Sequence, residues 1–144
     1  MRNSILLIGL IVLLTISSLW FFLLNQEAKK TLNDDPGFKI ETAILLREYS
    51  EDKETANRKY LDKTIIVKGE INSCIAVPHG LNIELTAGND LETITCSVDY
   101  AQLNNKQNFI KGRKIELKGR CGGYLYEENL GLRNIRLTQC SIIN

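Results

Sequence analysis

Between Arg2 and Glu27 the chain carries no charged residue and no histidine, and residues 5–24 are almost wholly apolar. A helix rises about 1.5 Å per residue, so this run extends about 30 Å, the thickness of a bilayer's hydrocarbon core. Trp20, Phe21 and Phe22 stand near its far end, where aromatic rings favour the membrane–water interface. A small domain cannot cover such a helix on every side, which argues against a buried core helix. The chain is expected to attach to a membrane, with the lipid bilayer as the partner of residues 5–24 and everything functional in residues 26–144.

A cleaved signal peptide is the alternative. It has a basic start, an apolar stretch of about 7–15 residues and a small-residue cleavage site. Arg2 supplies the start, but the stretch is too long, and Asn25-Gln26-Glu27-Ala28-Lys29-Lys30 offers no small-x-small pair. A retained signal-anchor is therefore favoured. Arg2 precedes it while Lys29, Lys30 and Lys39 come after, so the positive-inside rule does not fix orientation. Cysteine use leans one way: Cys74, Cys96, Cys121 and Cys140 all lie beyond the anchor, an even number suited to disulfides in an oxidising compartment. Buried free thiols are the other reading. The expected placement is a single-pass cell-membrane protein with its soluble part outside the cytoplasm, in the periplasm.

Residues 26–144 suffice for one domain with its own core. They are nearly neutral, which argues against a polybasic tail for nucleic acid or lipid. The neutrality hides an asymmetry. In residues 64–100 Lys68 is set against Glu70, Glu84, Asp90, Glu92 and Asp99. In residues 101–144 the balance is basic, with Lys114, Lys118, Arg120 and Arg136 among the cations.

Residues 26–38 read as a linker, with Asn33-Asp34-Asp35-Pro36-Gly37 a turn signal. From Ile40 the period is helical through Ala43, Ile44, Tyr49, Ala56 and Tyr60, and Ser50 either caps a second helix or kinks a continuous one. After Lys63 the pattern alternates. Residues 64–71, 81–85, 93–98, 114–121 and 133–142 read as five strands, with a polar connection over residues 99–112 and a loop holding Tyr124 and Tyr126 before the last. Ile65, Val67, Ile94, Cys96, Ile115, Leu117 and Cys121 fall on the inward side; Lys114, Lys118, Arg120 and Cys74 fall on the outward side.

The stretch Ile66-Val67-Lys68-Gly69-Glu70-Ile71 resembles Glu116-Leu117-Lys118-Gly119-Arg120-Cys121. Gly69 and Gly119 each take an inward position, where a missing side chain lets a barrel strand bend without crowding the interior. The expected fold is mainly β with an N-terminal helix (α+β). It is a five-stranded OB-fold barrel over residues 39–144, preceded by one transmembrane helix in residues 1–25.

The region from Ile40 to Ile142 resembles the tRNA-anti-like family, OB-fold domains of bacterial membrane-linked or exported proteins of mostly unknown role. The resemblance rests on Tyr49 followed by Ala56, Tyr60 and Lys63, on Val67-x-Gly69-x-Ile71, and on Cys96. It extends through Gly119-x-Cys121-x-Gly123 and Leu137-x-x-Cys140-x-Ile142. Asp52 stands where the family commonly has Asn, and Cys74 lies outside the pattern. The family name records a likeness to anticodon-binding domains; it does not establish RNA binding.

No catalytic or metal constellation emerges, and no cofactor is implied. His79 is the sole histidine and sits in Pro-His-Gly, which is turn chemistry. The cysteines lack the short paired spacing of a zinc or redox motif. Single-strand binding by OB-folds needs a basic groove and aromatic platforms. The candidates for anion or nucleic-acid contact are Lys114, Lys118, Arg120 and Arg136 with Tyr124 and Tyr126; a solvated strand face and hairpin packing are the commoner explanations. The disulfide candidate is Cys96 with Cys140, on neighbouring strands of an OB barrel, provided a bulge near Gln139 turns Cys140 inward; sequence leaves all three complete pairings open. The favoured function is a non-enzymatic envelope module that binds an unknown protein or small ligand. A membrane-tethered nucleic-acid binder facing the cytoplasm is the alternative, and a purely structural subunit is a weaker third.

Overall fold

The computed structural model describes residues 13, 15–20, 35–89, 91–103, 108–127 and 131–143. The order is β1 (Phe38–Glu41), α1 (Thr42–Glu51), α2 (Lys53–Tyr60), β2 (Thr64–Val77), β3 (Gly80–Thr86) and β4 (Glu92–Asp99). A 3-10 turn (Tyr100–Gln102), β5 (Lys114–Glu127) and β6 (Leu132–Ile142) complete it. The fold is mainly β with short helices, an OB-like arrangement. Among the described residues it has six strands where the pattern suggested five.

The added strand is β1. Phe38 and Ile40 alternate with exposed neighbours and pair in parallel with Ile65 and Val67 of β2. The helical period read from Ile40 fails there because pairing to β2 and an edge contact of Phe38 on Tyr60, centroids 5.2 Å apart, override it. The helix starts at Thr42, whose hydroxyl donates to the Lys68 carbonyl at 3.2 Å. The break between helices falls at Asp52. Its carboxylate accepts from the Thr55 N–H at 3.0 Å and the Thr55 hydroxyl at 2.6 Å, capping α2. Ser50 caps nothing; its hydroxyl turns back to the Arg47 carbonyl.

In the sheet β2 pairs with β3, β3 with β4, β4 with β6, β6 with β5, and β5 returns to β2. The two look-alike segments are partners: Ile65 lies opposite Gly119 and Gly69 opposite Ile115. A Cβ on Gly69 would stand 2.1 Å from Thr42 Oγ1, and one on Gly119 would stand 2.5 Å from Cys140 Sγ. Both glycines therefore leave room that another residue's side chain occupies. Gly80, which reads only as a turn glycine in sequence, is tighter against backbone: its Cβ would meet the Val98 carbonyl oxygen at 2.0 Å.

β2 and β5 run longer than their patterns suggest, so Tyr124 and Tyr126 are strand residues rather than loop residues. A bulge between Ile71 and Ser73 shifts the register of β2 by one. Cys74 consequently lies opposite the buried Ile83 and packs against the core, not on the outward side that strict alternation assigns. The helices supply Leu45, Leu46, Tyr49, Ala56 and Tyr60 to a core completed by strand residues such as Ile65, Ile83, Ile94, Leu117 and Ile135.

Of the apolar amino-terminal run, Leu13 and residues 15–20 are described and helical, with Leu13, Ile16, Leu19 and Trp20 more than half exposed. Among the described residues no helix is long and apolar enough to cross a membrane. The rest of the expected anchor, and most of the linker at 26–38, lie outside the described residues.

Candidate functional surface

The sequence-predicted cations lie on the outer face of β5 and β6. Lys114 and Arg136 are exposed, Lys118 and Arg120 half-buried. Arg120 is opposite Thr138, two residues from Arg136, so these two residues share one face of adjacent strands.

That face alternates in sign. Glu116 stands between Lys114 and Lys118 and pairs with Lys39 Nζ at 2.9 Å. Arg120 Nη2 lies 3.4 Å from Asp62 Oδ1. Across the β2–β5 ladder Lys68 opposes Glu116 and Glu70 opposes Lys114, the opposite-charge arrangement that stabilises cross-strand pairs. Arg133 donates to Glu92 at 2.7 Å, joining β6 to β4. Lys39 and Asp62 escape a strand-by-strand reading because they sit in β1 and in the turn before β2.

The tyrosines diverge. The ring of Tyr124 stacks on buried Tyr49 with centroids 5.9 Å apart and planes 7° from parallel, and Lys53 Nζ lies 5.5 Å from its centroid. One face of Tyr124 is thus occupied by the protein itself. Burial pushes its hydroxyl pKa up, with Arg133 opposing. Tyr126 pairs with Arg133 near the end of the β5–β6 hairpin and is about half exposed.

A cleft of about 160 Å³ opens where α1 meets β2, lined by Glu41, Thr42, Lys68, Glu70, Thr86 and Lys114 among others. It is smaller than the roughly 300–1,000 Å³ of typical small-molecule pockets. Its two acids and two amines give it no dominant sign. His79 is exposed at the β2–β3 turn, and its carbonyl accepts from the Tyr100 N–H. Among the described residues no group of three or more His, Cys, Asp or Glu could hold a metal ion.

The inner polar groups tie the helices down. Glu48 accepts from Lys59 Nζ at 2.9 and 3.0 Å and from the Tyr60 hydroxyl at 2.9 Å. The Lys59 hydrogen bonds hold the Glu48 carboxyl below its ordinary range, against the upward pull of burial. The Tyr49 hydroxyl lies 3.5 Å from Cys121 Sγ, and burial, aided by that thiol, pushes the phenol up.

With the β2–β3–β4–β6–β5 pairing and its leading helices described, comparison with known families is decisive. Residues 1–135 match the tRNA_anti-like family model. The chain belongs to the tRNA_anti-like family. A crystal structure of a proposed nucleic acid-binding lipoprotein from Klebsiella pneumoniae superposes with a TM-score of 0.52 at 14% identity, over 74% of this chain and 91% of that one. That likeness shows the fold. A proposed aspartyl-tRNA synthetase from Leishmania major matches at a TM-score of 0.44 and 6% identity, over 74% of this chain and 20% of that one. No curated protein matches the sequence. In this tRNA_anti-like chain the candidate cations are brought to one face, but Glu116 lies between Lys114 and Lys118 and Asp62 beside Arg120, and Tyr124 stacks on Tyr49.

Proposed function

We propose that this protein is an envelope module: an OB-fold barrel held at the outer side of the cell membrane by residues 5–24, binding another envelope component rather than catalysing a reaction. The observation that carries this reading is the apolar run. Its described part is helical with apolar side chains facing out, the surface expected of a segment whose partner is lipid. The return of β5 to β2 supports a closed barrel, and the lipoprotein character of the Klebsiella neighbour fits an envelope setting.

The nucleic-acid alternative has one observation in its favour, the binding proposed for that same neighbour. Against it stand the acids set among these cations, Glu70 opposite Lys114, Glu116 between Lys114 and Lys118, and Asp62 beside Arg120, since phosphate binding depends on uncompensated cations. Reporter fusions at Asn144 test the placement: activity of an export-dependent reporter supports the envelope reading, and activity of a cytoplasm-dependent one overturns it. Fluorescence anisotropy with a single-stranded RNA tests the ligand class. Salt-sensitive micromolar binding by the wild-type chain would favour the alternative.

A further inference from the structure

We propose that Cys96 and Cys140 are a dithiol pair that oxidises to a disulfide joining β4 to β6. All four cysteines are free thiols in the structure, and Cys96, Cys121 and Cys140 are buried. Register narrows their partners. Cys74 lies opposite Ile83, which lies opposite Cys96, so a whole strand separates those two cysteines. Cys121 lies opposite Leu137, which lies opposite Cys96, and the same holds. Two strand spacings are about 9.6 Å, beyond the roughly 7 Å between Cα atoms that a disulfide can bridge. Cys121 is instead in contact with the Tyr49 hydroxyl.

Cys140 is different. It lies opposite Val98 on the strand next to Cys96, and the chain departs from regular geometry to aim it inward. Gln139 has φ of 52°, a left-handed conformation unusual for a residue with a side chain, and the β4–β6 register shifts between Cys96 and Val98. Gly119 completes the arrangement, because any side chain there would fall on Cys140 Sγ. The two thiols act on each other, and burial together with Cys140 pushes the Cys96 thiol well up. A core that needed only a small apolar residue would not require the bulge.

Oxidation proceeds by thiol–disulfide exchange with an exported protein-disulfide oxidant. One thiol loses its proton and attacks a sulfur of the oxidant's disulfide, releasing the other sulfur as a thiolate. The second thiol of the pair, also deprotonated, then attacks the mixed disulfide. The Cys96–Cys140 bond forms, two electrons pass to the oxidant, and it leaves as a dithiol. Burial at 0% and 1% exposure places this step before the sheet closes around the pair. The source of oxidant rests on the extracytoplasmic reading; the pairing does not.

The test refolds reduced full-length protein in detergent with a reduced/oxidised glutathione buffer, blocks remaining thiols and maps peptides. Trypsin is combined with a glutamate-specific protease, because cleavage at Glu84 separates Cys74 from Cys96. A Cys96–Cys140 peptide is expected, retained in Cys121→Ser and lost in Cys140→Ser. Reduction should lower the melting temperature of wild type by about 10 °C or more and leave Cys96→Ser unmoved. A Cys121–Cys140 link, or four free thiols, overturns the pair. The same map on protein taken from native membranes with thiols blocked at lysis separates the two readings. A linked pair there supports both, whereas a pair linked on refolding but free in the cell upholds the geometry and overturns the envelope placement.

Discussion

The helix-covered interior and the outer face of β2 and β5 are built by opposite rules. Inside, positions answer to the shape of particular neighbours: Gly119 to Cys140, Gly69 to Thr42, Tyr124 to Tyr49. Outside, Lys68, Glu70, Lys114 and Glu116 answer to the sign of their neighbours, across the ladder and, for Glu116, in Lys39 of β1. The interior specifies shape and the face specifies charge balance. Removing atoms should therefore be costly in the first and nearly free in the second.

The sharpest break of that contrast is Leu45→Ala. Leu45 is fully buried where α1 covers the sheet, so the substitution loses apolar burial and leaves a cavity. About 3 kcal/mol should be lost in denaturant unfolding. A variant within about 0.5 kcal/mol of wild type would mean that α1 is loosely attached and the interior is not a single packed unit.

Gly119→Val should lower stability by about 1–3 kcal/mol, the range for overpacking, with Gly69→Val less affected. The difference arises from what each side chain would meet. Cys140 Sγ is held by the bulge at Gln139, whereas the Thr42 hydroxyl can swing from its long bond to Lys68. Melting curves of the two variants check the order, and equal melting with wild type would show that neither strand needs its glycine.

These glycines also measure how much of the fold is legible in sequence. Two similar segments with a glycine on the inward parity point to bent, closely packed strands, because period-2 patterning is local and survives in sequence. Family resemblance is legible for the same reason, through Tyr49, Gly69, Cys96 and Cys121. The features that escape a sequence reading depend on pairings distant in the chain. β1 becomes a strand only by lying beside β2, and Cys74 turns inward only through a bulge at Asn72 that no residue type announces. Of the candidate surface, the cations of β5 and β6 are legible, whereas Asp62, which pairs with Arg120, and the further cation Lys39, which pairs with Glu116, are not, since both reach that face from other elements.

Between interior and surface lies Glu48, half sheltered and bound by Lys59 and Tyr60. Its folded pKa is lowered, first by the Lys59 hydrogen bonds, from an ordinary value of 4.5. A depressed carboxylate contributes stability that is present above the unfolded value and lost as pH falls through the folded one. Melting temperature should hold from pH 7 down to near 4.5 and decline below it. Glu48→Gln should melt lower than wild type at pH 7, and the gap should narrow on acidification. A gap that stays constant to about pH 3 would mean the carboxylate's charge contributes nothing.

The smallest effect on stability, and the most informative for function, is expected from Glu116→Lys. The Glu116 side chain is 16% exposed and its partner Lys39 62% exposed, so the lysine end of the pair is well solvated. Its loss should cost about 1 kcal/mol or less. The electrostatic change is larger, because Lys114, the new lysine, Lys118 and Arg120 would then form an unbroken cationic row beside Arg136. If compensation is what keeps this face from polyanions, the variant should acquire binding to single-stranded RNA or heparin that the wild-type chain lacks. That binding should weaken steeply between about 50 and 200 mM salt, as counterion release requires. Binding already present in wild type, and no stronger in the variant, would show that the compensated pairs do not govern the face and would return the nucleic-acid reading to first place.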